Sequence, residues 1–223
     1  PNGTPANADW MAETNQVDGW LGRVPYWGAG SGGTAGDVNG DGYDDFVAGS
    51  LYYDNGEQTE GAVFLWYGAA MPTGLGPNGT PSNADWTAEG EQQGATLGVS
   101  VGTAGDFNGD GYDDVLAGAY AYDVISNTTP ITNAGAAMSW FGSADGMGEK
   151  GTPANADWMA IGRAQNDYFG MYTSTAGNVN GAPSDVVVGA VYYSTSSTQW
   201  NHGSAFLFYG QTRTYLPLIV RSY

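Results

Sequence analysis

The chain has 223 residues, of which 23 are acidic and only five are Lys or Arg, so its net charge is −18. Such an acidic surface cannot neutralise phosphates, which excludes nucleic acid as a partner and disfavours an anionic membrane. Cysteine is absent, and the longest apolar stretch, residues 215–220, is too short to span a bilayer. The sequence therefore offers no disulfide framework and predicts no membrane insertion.

One phrase occurs three times along the chain. It reads GTPANADW at residues 3–10, GTPSNADW at 79–86 and GTPANADW at 151–158. Its tryptophans, Trp10, Trp86 and Trp158, are therefore 76 and 72 residues apart. A fixed period of about seventy residues indicates internal repeats. We predict a single repeat domain, with a first blade and its leading strand at 1–68, a second blade at 69–142, a third at 143–210 and a C-terminal tail at 211–223.

Each unit contains the same series of short strands. An Asp-Trp strand comes first, and an aromatic or apolar residue before glycine follows, at Trp27-Gly28, Leu97-Gly98 and Phe169-Gly170. A short strand then leads into an acidic loop. After the loop come an apolar strand, a polar hairpin and an outer strand, the last at 61–68, 135–142 and 203–210. Four short strands per unit, 37 glycines and no helical periodicity predict an all-β fold made of propeller blades.

The acidic loop of the first unit, GDVNGDGYDD, has the composition of a calcium site. Asp37, Asn39, Asp41 and Asp45 fall at loop positions 1, 3, 5 and 9, and Tyr43 at position 7 offers its backbone carbonyl. Calcium takes about six to eight oxygen ligands in flexible geometry, and this set nearly fills that shell. The glycines between them let the loop turn tightly enough for the oxygens to converge.

The second unit repeats this loop as GDFNGDGYDD. Its predicted calcium ligands are Asp106, Asn108, Asp110, the carbonyl of Tyr112, and Asp114. Position 12 is alanine in both copies and the flanks are apolar strands, so neither loop is an EF-hand, which needs a glutamate there and helices on both sides.

The third unit keeps only part of the loop. Asn178 replaces the first aspartate, the third ligand is lost at Ala182-Pro183, and Asp185 remains. One carboxylate cannot hold calcium with much affinity, because affinity follows the number of charged ligands. We therefore expect two calcium ions per chain and a third loop without metal.

These units resemble FG-GAP repeats, the blades of the integrin alpha-subunit propeller and of many secreted bacterial proteins. The matching features are Phe169-Gly170, the loops at 36–45 and 105–114, and the apolar-Gly-Ala segments at 117–119 and 188–190. The resemblance covers essentially the whole chain and implies a propeller. Two features depart from the family pattern: the proline of the GAP element is absent in every copy, and the family usually closes seven blades.

Aromatic residues fall into two groups. The tryptophans of the repeated phrase recur at one position, which predicts packing between blades. A second group follows the apolar-Gly strand of each unit, where loops gather on one rim, and such a rim could stack against sugar rings or dock a partner. The candidate ligand rim is Tyr52, Tyr53, Tyr120, Tyr122, Tyr192, Tyr193 and Trp200.

One motif resembles that of a hydrolase. Ser100 lies in a G-x-S-x-G motif and, with Asp185 and His202, gives the chain order of a catalytic triad. However, Ser100 stands where the third unit has Tyr172, and its strand leads into an acidic loop instead of a helix. We therefore predict no catalytic site.

The features together predict an extracellular module, secreted or at the cell surface, because cytosolic calcium is too low to fill loops that lack a position-12 glutamate. The expected role is structural or adhesive, with copies of itself or other surface proteins as partners. The alternative is a carbohydrate-binding propeller module that recognises glycans through the aromatic rim, and a hydrolase is a more distant one.

The strand count predicts how the chain associates. Three blades are too few for a ring, since propellers have about four to eight. Residues 1–13 form a strand with no blade before it, whereas the third blade ends at Gly210 without such a strand. We expect residues 6–13 of one subunit to complete the third blade of the next, in a six-bladed ring or a filament. The tail at 214–220, or further blades of a longer parent chain, are the alternatives.

Overall fold

The computed structural model describes residues 3–22, 31–125, 129–181, 183–194 and 202–211. Within these ranges it contains one turn of 3-10 helix, Pro5–Asn7, and eleven strands. The strands are β1 (Gly32–Gly36), β2 (Asp45–Ser50), β3 (Ala62–Trp66), β4 (Trp86–Glu89), β5 (Leu97–Gly105), β6 (Asp114–Ala119), β7 (Ala136–Trp140), β8 (Trp158–Ile161), β9 (Phe169–Gly177), β10 (Asp185–Ala190) and β11 (Ser204–Phe208). No helix in this part has the length and apolar character needed to cross a membrane.

The strands form three antiparallel sheets, with the orders β1-β2-β3-β4, β5-β6-β7-β8 and β9-β10-β11. Successive strands are neighbours, as in propeller blades, and we number the sheets as blades 1, 2 and 3. The second strand of each sheet is an apolar run, and β6 is buried along its whole length, as expected for a strand covered on both faces. The predicted all-β fold of propeller blades is confirmed, and within the described ranges the sheets do not close into a ring.

The sheets are offset by one strand from the repeat units defined on the sequence. Trp86 pairs with Leu65 of β3, and Trp158 pairs with Ser139 of β7. The Asp-Trp strands of the second and third units therefore form the fourth strands of blades 1 and 2. The first two sheets run over residues 32–89 and 97–161.

The apolar residue before glycine also differs from expectation in the first unit. Leu21, which precedes Gly22, bridges to Ser50 at the end of β2. Leu97 and Phe169 pair in the same way with the last residues of β6 and β10. Leu21-Gly22 therefore occupies this repeat position, and the assignment to Trp27-Gly28 is corrected, although that pair lies outside the described residues.

Trp86 and Trp158 join neighbouring blades, and Trp10 makes the equivalent contact with blade 1. Each one contacts, edge to face, the aromatic ring at the end of the third strand of the following blade. The pairs and their centroid distances are Trp10–Trp66 at 5.3 Å, Trp86–Trp140 at 5.5 Å and Trp158–Phe208 at 5.2 Å. The largest core cluster contains both Trp86 and Trp140 and draws on blades 1 and 2 alike. The predicted packing role of these residues is confirmed.

Candidate metal centre

The first acidic loop joins β1 to β2 and is folded around its own side chains. The Asp37 carboxylate accepts main-chain N–H bonds from loop positions 4, 5 and 6, at 2.8, 3.0 and 2.9 Å. The side chain of Asn39 accepts from the N–H of Asp41 at 2.9 Å, and that of Asp41 accepts from the N–H of Tyr43 at 3.0 Å. The oxygens predicted to bind calcium are thus oriented by the backbone of one tight turn.

The second loop repeats this arrangement bond for bond. The Asp106 carboxylate accepts N–H bonds from positions 4, 5 and 6, at 2.7, 2.9 and 3.1 Å. Asn108 accepts from Asp110 at 2.9 Å, and Asp110 accepts from Tyr112 at 3.1 Å. Two separate segments with the same oxygen spacing therefore form the same turn, held by equivalent hydrogen bonds.

The aspartate at position 9 anchors each loop inside the protein. Asp45 and Asp114 begin β2 and β6 and are buried. Each carboxylate accepts two main-chain N–H bonds of 2.9 or 3.0 Å, one from its own loop and one from the end of the third strand of its blade. The donors are Val38 and Gly68 for Asp45, and Phe107 and Gly142 for Asp114.

Burial of these anchors makes their negative charge unfavourable. Burial, with a smaller contribution from the Asp41 and Asp37 carboxylates, raises the pKa of Asp45 from 3.8 to about 6. Burial, with a smaller contribution from the Asp110 carboxylate, raises the pKa of Asp114 to about 8. Buried carboxylates near like charges ionise readily only when a cation compensates them.

No described basic side chain compensates the loops. The ion pairs within the described ranges are those of Lys150 with Glu89 and Glu91. Among the described residues, no three acidic, histidine or cysteine side chains are grouped closely enough to form a metal cluster. The donor set nevertheless fits calcium, because it consists of carboxylate, amide and carbonyl oxygens in one small turn with excess negative charge.

The third loop retains the buried anchor aspartate but lacks the acidic residues at the other predicted ligand positions. Asp185 begins β10, is buried, and accepts N–H bonds from Val179 at 2.8 Å and Gly210 at 2.9 Å, like the other two anchors. Asn178 accepts an N–H bond from Gly181, at 2.6 Å. The aspartate that begins the second strand therefore has a structural role in every blade, which explains why it remains where the other carboxylates are replaced.

The candidate rim separates into two sets of rings. Tyr52, Tyr120 and Tyr192 lie in a row with Trp20 and Tyr168. Ring centroids are 5.1 Å apart for Trp20–Tyr52, 5.4 Å for Tyr120–Tyr168 and 5.3 Å for Tyr168–Tyr192. The other three tyrosines point away from the row: Tyr53 packs on Phe64, Tyr193 packs on Phe206, and Tyr122 packs against the main core cluster. Trp200 lies outside the described residues.

The sequence pattern missed Tyr168 as a member of this row. Tyr168, Trp20 and Thr96 occupy one repeat position, directly before the apolar-Gly pair, and all three have φ between +52° and +59°. This left-handed backbone is uncommon for residues other than glycine and turns their side chains toward the row. Comparison of the three repeats at this position would have found it.

The residues of the triad-like motif do not act together. Ser100 accepts an N–H bond from Thr173 of β9 at 3.0 Å, and its hydroxyl also bonds to the Thr173 side chain. Asp185 has both carboxylate oxygens engaged with main-chain N–H groups of its own blade. His202 is exposed and lies two residues before β11.

Comparison with known proteins agrees with this geometry. A model of the FG-GAP repeat family matches residues 29–66 and 97–137, which include both acidic loops. Integrin alpha-5 of Xenopus laevis is 31% identical over 110 residues, covering 47% of the chain and 10% of that protein. Integrin alpha-6 of Homo sapiens is 30% identical over 160 residues, covering 70% of the chain and 12% of that protein. With the blade topology above, these matches show that the chain contains FG-GAP repeats and is consistent with an integrin-like propeller.

Proposed function

We propose that the chain is an extracellular structural or adhesion module of a cell-surface assembly, stabilised by two calcium ions and without enzymatic activity. Its similarity to integrin alpha subunits supports an adhesive role and a location outside the cytoplasm. The observation that carries the proposal is the duplicated loop, in which two segments place the same oxygens in the same turn above a buried aspartate.

In this proposal one ion is held by Asp37, Asn39, Asp41, Asp45 and the Tyr43 carbonyl, and the second by the equivalent residues of blade 2. Calcium supplies positive charge, which lets the buried anchors ionise and holds the turn between the first and second strands. Because it binds the folded loop and not the unfolded chain, it stabilises the fold by mass action. Calorimetric titration of the metal-free protein with calcium tests the proposal: two sites per chain support it, and no binding at millimolar calcium contradicts it.

The proposed assembly is head-to-tail, and blade 3 carries the receiving surface. No described residue pairs with the outer edge of β11, whereas β3 and β7 have a fourth strand there. Leu207 of β11 is 44% exposed, while Leu65 at the equivalent position of β3 is fully buried. Val179 is 56% exposed, while Val38 and Phe107, its equivalents in blades 1 and 2, are at most 4% exposed. Blade 3 thus exposes the apolar positions that the two internal joints bury.

The donor surface is the Asp-Trp segment at residues 9–13, which blade 1 already holds in the pose of a fourth strand. Trp10 Nε1 donates to Pro77 at 2.8 Å and the Glu13 N–H donates to Gly79 at 3.0 Å. Trp86 and Glu89 make the same two bonds at the next joint, to Glu149 and Gly151. The register of β4 and β8 then places Trp10 of one copy opposite Leu207 of another. Copies joined in this way form a closed ring or a filament.

A second candidate function is carbohydrate binding. The observation that favours it is the row of five rings that crosses the three blades, from Trp20 to Tyr192, since rows of partly exposed aromatics suit the apolar faces of sugar rings. A polysaccharide pull-down distinguishes the two functions, because a structural module that binds only protein partners would not be retained by any glycan.

A further inference from the structure

The two acidic loops are connected to each other across the joint between blades 1 and 2. Asp113, at position 8 of the second loop, donates its main-chain N–H to the Asp37 carbonyl at 3.2 Å. Its carboxylate accepts the Asp37 N–H at 3.0 Å. Asp37 is the first predicted ligand of the other loop, so both of its main-chain groups are held by a residue of the neighbouring blade.

The fit around this contact is close. A Cβ atom at Gly36 would lie 2.1 Å from the Asp113 carboxylate, and one at Gly142 would lie 2.4 Å from the Val38 carbonyl. The Ser143 N–H donates to that same carbonyl at 3.0 Å. The first two residues of loop 1 are therefore seated against blade 2, and only glycine fits at these two places.

The joint between blades 2 and 3 keeps the main-chain part of this connection. The Ser184 N–H donates to the Asp106 carbonyl at 2.9 Å, and the Gln211 N–H donates to the Phe107 carbonyl at 3.1 Å. Ser184 occupies the repeat position of Asp113 but has a hydroxyl in place of the carboxylate. Of the two described joints, only the one between blades 1 and 2 therefore has the carboxylate hydrogen bond, and Asp113 supplies it.

We propose that Asp113, although it belongs to the loop of blade 2, is a positioning residue for the calcium site of blade 1. By fixing the amide and carbonyl of Asp37 it sets the direction of that carboxylate, so that loop 1 binds calcium only when blades 1 and 2 are docked. The inference rests on the proposed calcium function. It makes metal binding at loop 1 and closure of the joint a single coupled event, because whatever stabilises one stabilises the other.

The physical basis is the orientation of a ligand by a hydrogen bond from outside the metal shell. Loss of such partners typically weakens metal binding about 10- to 100-fold. Asp113 also brings negative charge near the loop, and burial together with the Asp106, Asp44 and Asp37 carboxylates raises its pKa. A test must therefore separate the hydrogen bond from the charge.

The two loops are measured one at a time, by calorimetry with calcium. Loop 1 is measured in a D110A background and loop 2 in a D41A background. We expect D113S, which copies the residue found at Ser184, to weaken loop 1 about tenfold or more and to change loop 2 by less than about twofold. D113N retains an acceptor oxygen without the charge, and it should recover most of the affinity of loop 1.

Asp44 is the matched control, because it stands at position 8 of loop 1, is exposed, and carries the same charge. D44S should weaken loop 1 less than D113S does, since it removes charge without removing a bond to Asp37. An effect of D113S on loop 2 alone, an equal effect on both loops, or equal effects of D44S and D113S would overturn the proposal.

Hydrogen exchange of the metal-free protein gives a readout that needs no calcium. The Asp37 amide should exchange about tenfold faster in D113S than in the parent chain, and D44S should leave it unchanged. If the parent chain bound no calcium, the proposed function would fail while the exchange result still decided whether Asp113 holds Asp37. Unchanged exchange in D113S would overturn the connection itself.

Discussion

Trp86 and Trp140 meet edge to face with their ring centroids 5.5 Å apart, although they belong to different blades. Trp86 begins the last strand of blade 1 and Trp140 ends the third strand of blade 2. Trp86 is 3% exposed, and its Nε1 donates to the Glu149 carbonyl at 2.8 Å. The strand that completes one blade therefore also supplies core to the next, so that the stability of each blade depends on its neighbour.

Replacement of Trp86 by alanine should lower the free energy of unfolding by about 3–5 kcal/mol, the usual result of removing a large aromatic side chain from a core. Trp10→Ala is the matched control, because Trp10 occupies the same repeat position but is only partly buried. It should cost clearly less. Urea denaturation measures both losses, and equal losses would show that the joint between blades 1 and 2 contributes no more than the exposed end of blade 1.

The metal proposal predicts how individual aspartates affect stoichiometry. Asp41→Ala and Asp110→Ala should each reduce calcium from two ions per chain to one, since each removes a carboxylate from a different loop. Asp185→Ala should leave two ions in place while lowering stability, because its carboxylate holds main-chain N–H groups in a loop that has lost its other acids. Elemental analysis counts the ions, and three per chain in the parent protein would contradict the assignment of the third loop.

Chelation should lower the melting temperature of the parent chain. At a free calcium concentration of 100 times the dissociation constant, each independent site adds about 2.7 kcal/mol to stability. Scanning calorimetry in millimolar calcium and in chelator measures the difference. The double variant with Asp41→Ala and Asp110→Ala provides the control, and it should show the same melting temperature in both solutions.

The buried anchors predict opposite pH dependence with and without metal. Without calcium the folded protein holds protons on Asp45 up to about pH 6 and on Asp114 up to about pH 8, whereas the unfolded chain loses them near the ordinary value of 3.8. The folded state thus binds more protons between about pH 4 and 8, and its stability must fall as pH rises through that window. With saturating calcium the carboxylates are needed ionised, so stability should rise with pH instead.

Urea denaturation of the desalted, metal-free protein at about pH 5 and pH 8 measures this slope. A variant with Asp45→Asn and Asp114→Asn removes the titrating groups and should flatten it. A metal-free protein that becomes more stable between these pH values would show that the anchors are not protonated as described.

Much of the blade architecture was predictable because each strand carries its own local signal. The run after the loop, DVLAGA in blade 2, is apolar without interruption and is a fully buried strand. The partner of the Asp-Trp strand was not predictable in this way. Trp86 pairs with Leu65 across a nineteen-residue connection between β3 and β4, and neither segment contains a pattern that indicates the sheet to which the strand belongs.

The same limit applies to individual side chains. Trp27-Gly28 and Leu21-Gly22 both satisfy the apolar-Gly pattern, and only the pairing of Leu21 with Ser50 distinguishes them. Tyr52 and Tyr53 are indistinguishable by residue type, yet Tyr52 joins the aromatic row and Tyr53 packs on Phe64. The difference arises in the turn after β2, in which the Tyr53 N–H donates to the Ser50 carbonyl and the two side chains point in different directions. The contact of Asp113 with Asp37 depends on docking of two blades, which no local pattern records.

The assembly proposal makes the sharpest prediction about the intact chain. If the Asp-Trp segment of one copy completes blade 3 of another, deletion of residues 1–13 should abolish association measured by analytical ultracentrifugation.

Leu207→Asp should also abolish association, because it places a charge opposite Trp10 and beside Asp9 in the register of β4 and β8. Within one subunit Leu207 is already 44% exposed, so this variant should keep the melting temperature of the monomer within a few degrees. The equivalent change in blade 1, Leu65→Asp, buries a charge and should unfold the protein.

A monodisperse, stable monomer of the unmodified chain at all concentrations would contradict head-to-tail association. The outer edge of β11 would then be covered by the segment at 212–223 or by a further blade.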